Sequence, residues 1–131
     1  MAPNLSGIDH LHVYVSSLDK AEAWFETVLS LTRVESQMNS AVKGGPLILE
    51  NRLKNIHLAL FERETPESSS TIAFGADGNE FLVWKKYLED QRLELRVTDH
   101  TSAYSMYFKD PDGNLYEITT DERDYVAEQL N

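Results

Sequence analysis

Cysteine is absent from all 131 residues, which removes disulfides, thiolate ligands and cysteine nucleophiles together. No run approaches the roughly 20 apolar residues that a membrane-spanning helix needs. The opening Met1-Ala2-Pro3-Asn4 carries no apolar signal segment; the expectation is a cytoplasmic chain without a membrane partner. Positive charge is scarce. Twelve Lys and Arg face 22 Asp and Glu, for a net charge of −10, so phosphate-rich polymers are repelled and nucleic acid is not expected as a partner. There is no Gly-rich phosphate loop, nucleophile elbow or paired-thiolate zinc pattern. What is present is ordinary for a globular chain: 41% hydrophobic and 26% charged residues, at a length that suits one domain over 1–131.

The pattern along the chain is one order of elements met twice. Ile8 to Val15 (IDHLHVYV) is β-branched and aromatic and reads as a strand, with His10, His12 and Tyr14 on one face and Leu11, Val13 and Val15 on the other. Ser16-Ser17-Leu18-Asp19 suits a helix entry, because serine and aspartate oxygens accept first-turn N–H groups. From Lys20 to Leu29, the residues Ala21, Trp24, Phe25, Val28 and Leu29 recur at helical spacing. Strands are expected over about 31–37, 47–52 and 55–63, with Gly44-Gly45-Pro46 breaking the first gap. The polar stretch 64–70 reads as a linker, and its three serines as part of it. Then the order restarts. A strand at 71–76, a helix at 80–91 with Phe81, Leu82, Trp84 and Leu88 available for burial, and strands at 93–98, 104–109 and 115–120 follow. The turn Asp110-Pro111-Asp112-Gly113 is explained by backbone geometry alone, and 121–130 suits a closing helix.

The predicted fold class is therefore α+β, made of two βαβββ modules at about 7–63 and 71–120, with 121–131 a tail or helix. The modules keep register. Thr71 follows His10 by 61 positions, and Glu117 follows His57 by 60. A half of this kind cannot close its own sheet, so the pair is expected to form a partly open mixed β-barrel around a concave cleft. His10 or His12 could face that cleft, as could Tyr107 and Arg52. His100 lies in an expected loop.

The segment from His10 to Asp19, followed by Ala23-Trp24-Phe25 and Val28-Leu29-Ser30-Leu31, resembles the opening of the vicinal oxygen chelate superfamily of glyoxalases, bleomycin-resistance proteins and extradiol dioxygenases. Phe108-Lys109-Asp110-Pro111-Asp112-Gly113-Asn114-Leu115-Tyr116-Glu117-Ile118 is similar to its closing hairpin. Two departures stand out: Ser30 takes the place of a usual glycine, and Ser17 that of a frequent aspartate. The resemblance implies that His10 and Glu117 bind one divalent metal. A third ligand usually opens the second half as a histidine; here Thr71 stands there. His57 occupies the fourth symmetric position and could restore two imidazoles plus a carboxylate, a set that suits Zn²⁺, Fe²⁺, Ni²⁺ or Mn²⁺.

On that resemblance the expected function is a metal-dependent enzyme, a lyase, isomerase or dioxygenase. Its substrate would be a small oxygenated molecule chelated through two oxygens, with Glu117 the catalytic candidate and His12 and Tyr107 lining the substrate. The competing reading is a non-catalytic drug-binding protein of the bleomycin-resistance type, favoured by the loss at Thr71. Relatives commonly pair, so a homodimer is expected.

Overall fold

The structure, a computed structural model, describes residues 1–35, 46–67 and 71–131. The expected Gly44-Gly45 break, the last two residues of the 31–37 strand and Ser68 to Ser70 lie outside the described residues. The chain divides into two compact units, Met1–Glu67 and Ser68–Asn131, and the division falls inside the stretch 64–70. Among the described residues no helix is long and apolar enough to cross a membrane.

The first unit runs β1 (Leu11–Val15), α1 (Leu18–Leu29), β2 (Thr32–Arg33), β3 (Leu47–Glu50) and β4 (His57–Glu62). Its sheet has the order β1-β4-β3-β2, with β1 parallel to β4 and the remaining pairs antiparallel. Alternation decides which side is core. Val13, Val15, Leu47, Leu49, Leu58 and Leu60 are buried, and α1 contributes Ala21, Phe25, Val28 and Leu29. Trp24, expected in the same stripe, is only half-buried.

Both ends of α1 are chemically marked. The Ser17 hydroxyl accepts from the Lys20 N–H at 3.3 Å, which satisfies one otherwise free first-turn donor. At the other end Ser30 sits in the left-handed region with φ 56°, while the N–H groups of Ser30 and Leu31 bond to Glu26 and Phe25 carbonyls. That closing geometry is the one glycine usually serves, and a non-glycine residue holds it at a cost of about 1 kcal/mol.

The second unit repeats the order as β5 (Ile72–Gly75), α2 (Gly78–Asp90), β6 (Arg96–Asp99), β7 (Tyr104–Lys109) and β8 (Leu115–Thr120), then adds α3 (Arg123–Leu130). Its sheet order, β5-β8-β7-β6, is that of the first unit, again with one parallel pair. The repeat read from the sequence is thus a repeat of topology. Tyr116, Ile118 and Thr120 of β8 are buried, whereas Leu115, Glu117 and Thr119 are half-exposed. Helix α2 begins with a reciprocal capping box between Asp77 and Glu80. It buries Phe81 and Leu88, with Leu82 and Trp84 half-buried.

Helix α3 is fastened to the start of α2. The Gly78 N–H donates to Glu122 Oε1 at 2.6 Å, and a Cβ on Gly78 would lie 2.6 Å from the Tyr125 ring. Only glycine permits that approach. The closing turn is pinned from inside by Asp110, which is buried. Its Oδ1 accepts from the backbone N–H groups of Asp112 and Asn114. Its Oδ2 accepts from the Asn114 amide and the Tyr116 hydroxyl. The turn expected at 110–113 is present, and the Asp110 carboxylate adds side-chain bonds to its backbone geometry.

Candidate functional site

In the first unit the pleat that buries Val13 and Val15 turns His12 and Tyr14 to the opposite face of the sheet. His10 immediately precedes β1. Its Nδ1–H donates to Asp9 Oδ2 at 2.8 Å, which leaves Nε2 with the lone pair in the neutral ring. The hydrogen bond from His10, then its charge, holds the Asp9 carboxyl below its ordinary value. His10 Nε2 lies 3.2 Å from His12 Nε2, with the two rings inclined by 19°. The far side of the His12 ring packs on Phe61, centroids 4.7 Å apart.

His57 opens β4 and is paired across the sheet with Glu50. Its Nε2 is 3.1 Å from Glu50 Oε2, and both side chains are largely shielded from solvent. The sequence reading singled out His57 and passed over Glu50. The signal was available, since a β3–β4 hairpin across Asn51 to Ile56 places residues 50 and 57 opposite one another. Thr71 is exposed and lies just outside β5. Arg52 is exposed in the turn after β3.

In the second unit one cross-strand row runs Ala73, Glu117, Tyr107, Arg96, so these side chains share a face. The neighbouring row on that face is Gly75, Thr119, Ser105, Thr98. The buried Ser105 hydroxyl donates to Glu117 Oε2 at 2.8 Å, which orients the carboxylate and leaves its second oxygen for another partner. The Arg96 guanidinium lies 4.4 Å above the Tyr107 ring, and the Tyr107 hydroxyl is 3.0 Å from His100 Nε2. Arg96 was missed at the sequence level because strand parity near 93–96 could not be read.

Pairing of β6 with β7 begins only at Arg96–Tyr107. Leu93 to Leu95, which precede that pairing, line with Phe108 and Lys109 a hollow of about 510 Å³. Arg96, Tyr107, Lys109, Leu93 and Leu115 are among its walls. Arg96 and Lys109 outnumber the one acid of the lining, Glu94, and with the Tyr107 ring they make this hollow suitable for a small anionic group.

Among the described residues no three His, Cys, Asp or Glu side chains are grouped to hold a metal. His10 and His57 belong to the first unit, and Glu117 to the second. The chemistry of the donors nevertheless fits a divalent metal. One imidazole is braced by a carboxylate and another is paired with one, as ligand histidines usually are, and a half-buried carboxylate is steadied by a hydroxyl.

A twice-repeated βαβββ unit with His and Glu on the non-core sheet faces defines the class of α+β proteins to which the chain's fold belongs. The chain belongs to the Glyoxalase/Bleomycin resistance protein/Dioxygenase superfamily, whose sequence profile matches residues 7–118. It is 30% identical to the metallothiol transferase FosB of Staphylococcus saprophyticus, over 95% of this chain and 86% of that one. Among solved structures it resembles an integron cassette protein from the mobile metagenome of Halifax Harbour sewage outfall, with TM-score 0.76 and 20% identity, covering 88% and 99% of the two chains. It also resembles the fosfomycin resistance protein FosX of Listeria monocytogenes in complex with Mn(II) and sulfate, with TM-score 0.67 and 16% identity, covering 98% and 100%.

Proposed function

We propose that the chain is a divalent-metal-dependent enzyme acting on a small oxygenated molecule that carries an anionic group, with His10, His57 and Glu117 as metal ligands. The observation that carries this reading is His10 with its Nδ1–H fixed on Asp9, an arrangement that leaves the lone pair on Nε2. Support comes from the superfamily match over residues 7–118 and from the likeness to a metallothiol transferase.

When bound, the metal supplies Lewis-acid polarisation of two neighbouring substrate oxygens. The chain's own residues do the rest. Asp9 fixes the tautomer of His10, and Ser105 fixes the rotamer of Glu117. Arg96, stacked on Tyr107, holds the anionic end of the substrate by charge-assisted hydrogen bonds. Glu117 would hold the ion through the oxygen that Ser105 leaves open or, displaced from it, would serve there as the base, and the Tyr107–His100 pair can hold a proton at the phenol oxygen. A homodimer is the proposed assembly, read by analytical ultracentrifugation.

The second reading, a non-catalytic binder, is favoured by Thr71, exposed where a histidine ligand is usual. Elemental analysis of protein purified without a chelating tag, beside Glu117→Ala, separates the two. About one divalent ion per chain, lost in the variant, is expected for the enzyme. No ion in either protein, even after Zn²⁺, Fe²⁺, Ni²⁺ and Mn²⁺ are offered, assigns the chain to the binders.

A further inference from the structure

Residues two apart on a strand are separated by roughly 6.6 Å along it, and their side chains ordinarily stand side by side. His10 and His12 instead lean together, so that their Nε2 atoms are 3.2 Å apart while the ring centroids remain 5.1 Å apart. The rings meet at their tips. His10 has one tautomer available for this, because its Nδ1–H is held by Asp9 at 2.8 Å and its Nε2 therefore presents a lone pair. With no cation between them, His12 donates its Nε2–H to that lone pair. If the His12 proton moves to Nδ1, both Nε2 atoms, 3.2 Å apart, carry a lone pair.

The spacing matches what a small cation demands. Two imidazole nitrogens each about 2.0–2.1 Å from a tetrahedral Zn²⁺ are about 3.3–3.4 Å from one another. The observed separation differs from this by about 0.1–0.2 Å, within reach of a small change in χ. The backing of each ring is already in place, with Asp9 behind His10 and Phe61 behind His12. His57 is differently situated, because its Nε2 faces the Glu50 carboxylate.

We propose that His10 and His12 form a bidentate imidazole site for a borderline divalent cation such as Zn²⁺ or Ni²⁺, so that the first unit supplies two nitrogen ligands from a single His-Leu-His segment. The proposal rests on the reading of the chain as a metal protein and adds His12 to His10 as a second nitrogen donor from the same segment. Such a chelate leaves coordination positions open for a substrate. Asp9 is a positioning residue, acting through the tautomer of His10.

The test is titration of the full-length protein with Zn²⁺ and with Ni²⁺ by calorimetry, for wild type, His12→Ala, His12→Gln and Asp9→Asn. Ring ¹⁵N spectra of the wild type are recorded in parallel. The expected result is a loss of affinity of at least about 100-fold in both His12 variants and of about 10-fold in Asp9→Asn, with the ring nitrogens of both His10 and His12 shifting on saturation with Zn²⁺. Wild-type binding that survives in both His12 variants, with only His10 perturbed, overturns the chelate and leaves the metal-enzyme reading standing. No binding by the wild type overturns both.

Discussion

At the scale of single residues, the most consequential contacts are made by carboxylates. Asp110 satisfies two backbone donors and two side-chain donors in the closing turn. Replacing it with alanine removes one acceptor from each of the buried Tyr116 hydroxyl and Asn114 amide, and a lost buried partner costs roughly 1–3 kcal/mol. Asp110→Ala is expected to lower stability by about 3 kcal/mol in urea denaturation, with the loss confined to folding rather than to metal affinity. Asp99 differs, being held at the surface. The Arg123 guanidinium, and then the Thr101 N–H, pull its carboxyl from 3.8 down to about 2. A depressed acid stabilises the fold above its unfolded value and ceases to do so as pH falls through the folded one. Wild-type stability should therefore fall between pH 3.8 and about 2 more steeply than that of Asp99→Asn, as followed by circular dichroism. His10, Glu117 and the turn were legible in the sequence because a motif marks them. Glu50, Ser105 and Arg96, which contact His57, Glu117 and Tyr107, were not, since each is defined by a strand pairing and not by its neighbours along the chain.

At the scale of elements, legibility followed the strength of the alternation. The bounds of β7 and β8 match the reading at 104–109 and 115–120, on either side of a tight turn, and buried and half-buried residues alternate along β8. The strand expected at 31–37 reduces, among the described residues, to Thr32–Arg33. The strand expected from 93 starts at Arg96. Propensity sees residues that suit a strand; only a partner's backbone decides whether the ladder forms. The start of α2 makes the same point in three dimensions. Alanine in place of glycine within a helix ordinarily gains about 0.5–1 kcal/mol. At Gly78 the added carbon meets the Tyr125 ring at 2.6 Å and Glu122 Oε1 at 2.9 Å. Overpacking of that kind costs about 1–3 kcal/mol, so the clash outweighs the propensity. Gly78→Ala is expected to lower the melting temperature, and a Gly78→Ala/Tyr125→Ala double variant to recover part of the loss.

At the scale of the whole molecule, the superfamily and the duplicated βαβββ order were both legible, because register persists over 60 residues even where identity does not. The net charge of −10 acts on ligands in opposite senses. It concentrates divalent cations and repels anions, so Arg96 and Lys109 must offset it locally. Raising ionic strength shortens the reach of surface charge to about 8 Å at 0.15 M. Zn²⁺ affinity should accordingly weaken several-fold between low and physiological salt, a change measurable by competition with a chelating dye. The buried bond from Tyr116 to Asp110 reaches into a different kind of experiment. Burial, and then the Asp110 charge, push that phenol far above its ordinary value. It keeps its proton in alkali where a free tyrosine, near 10, has lost it. One of the six tyrosines thus withholds its ultraviolet tyrosinate signal until the turn around it opens, and the second unit carries its own optical marker of unfolding.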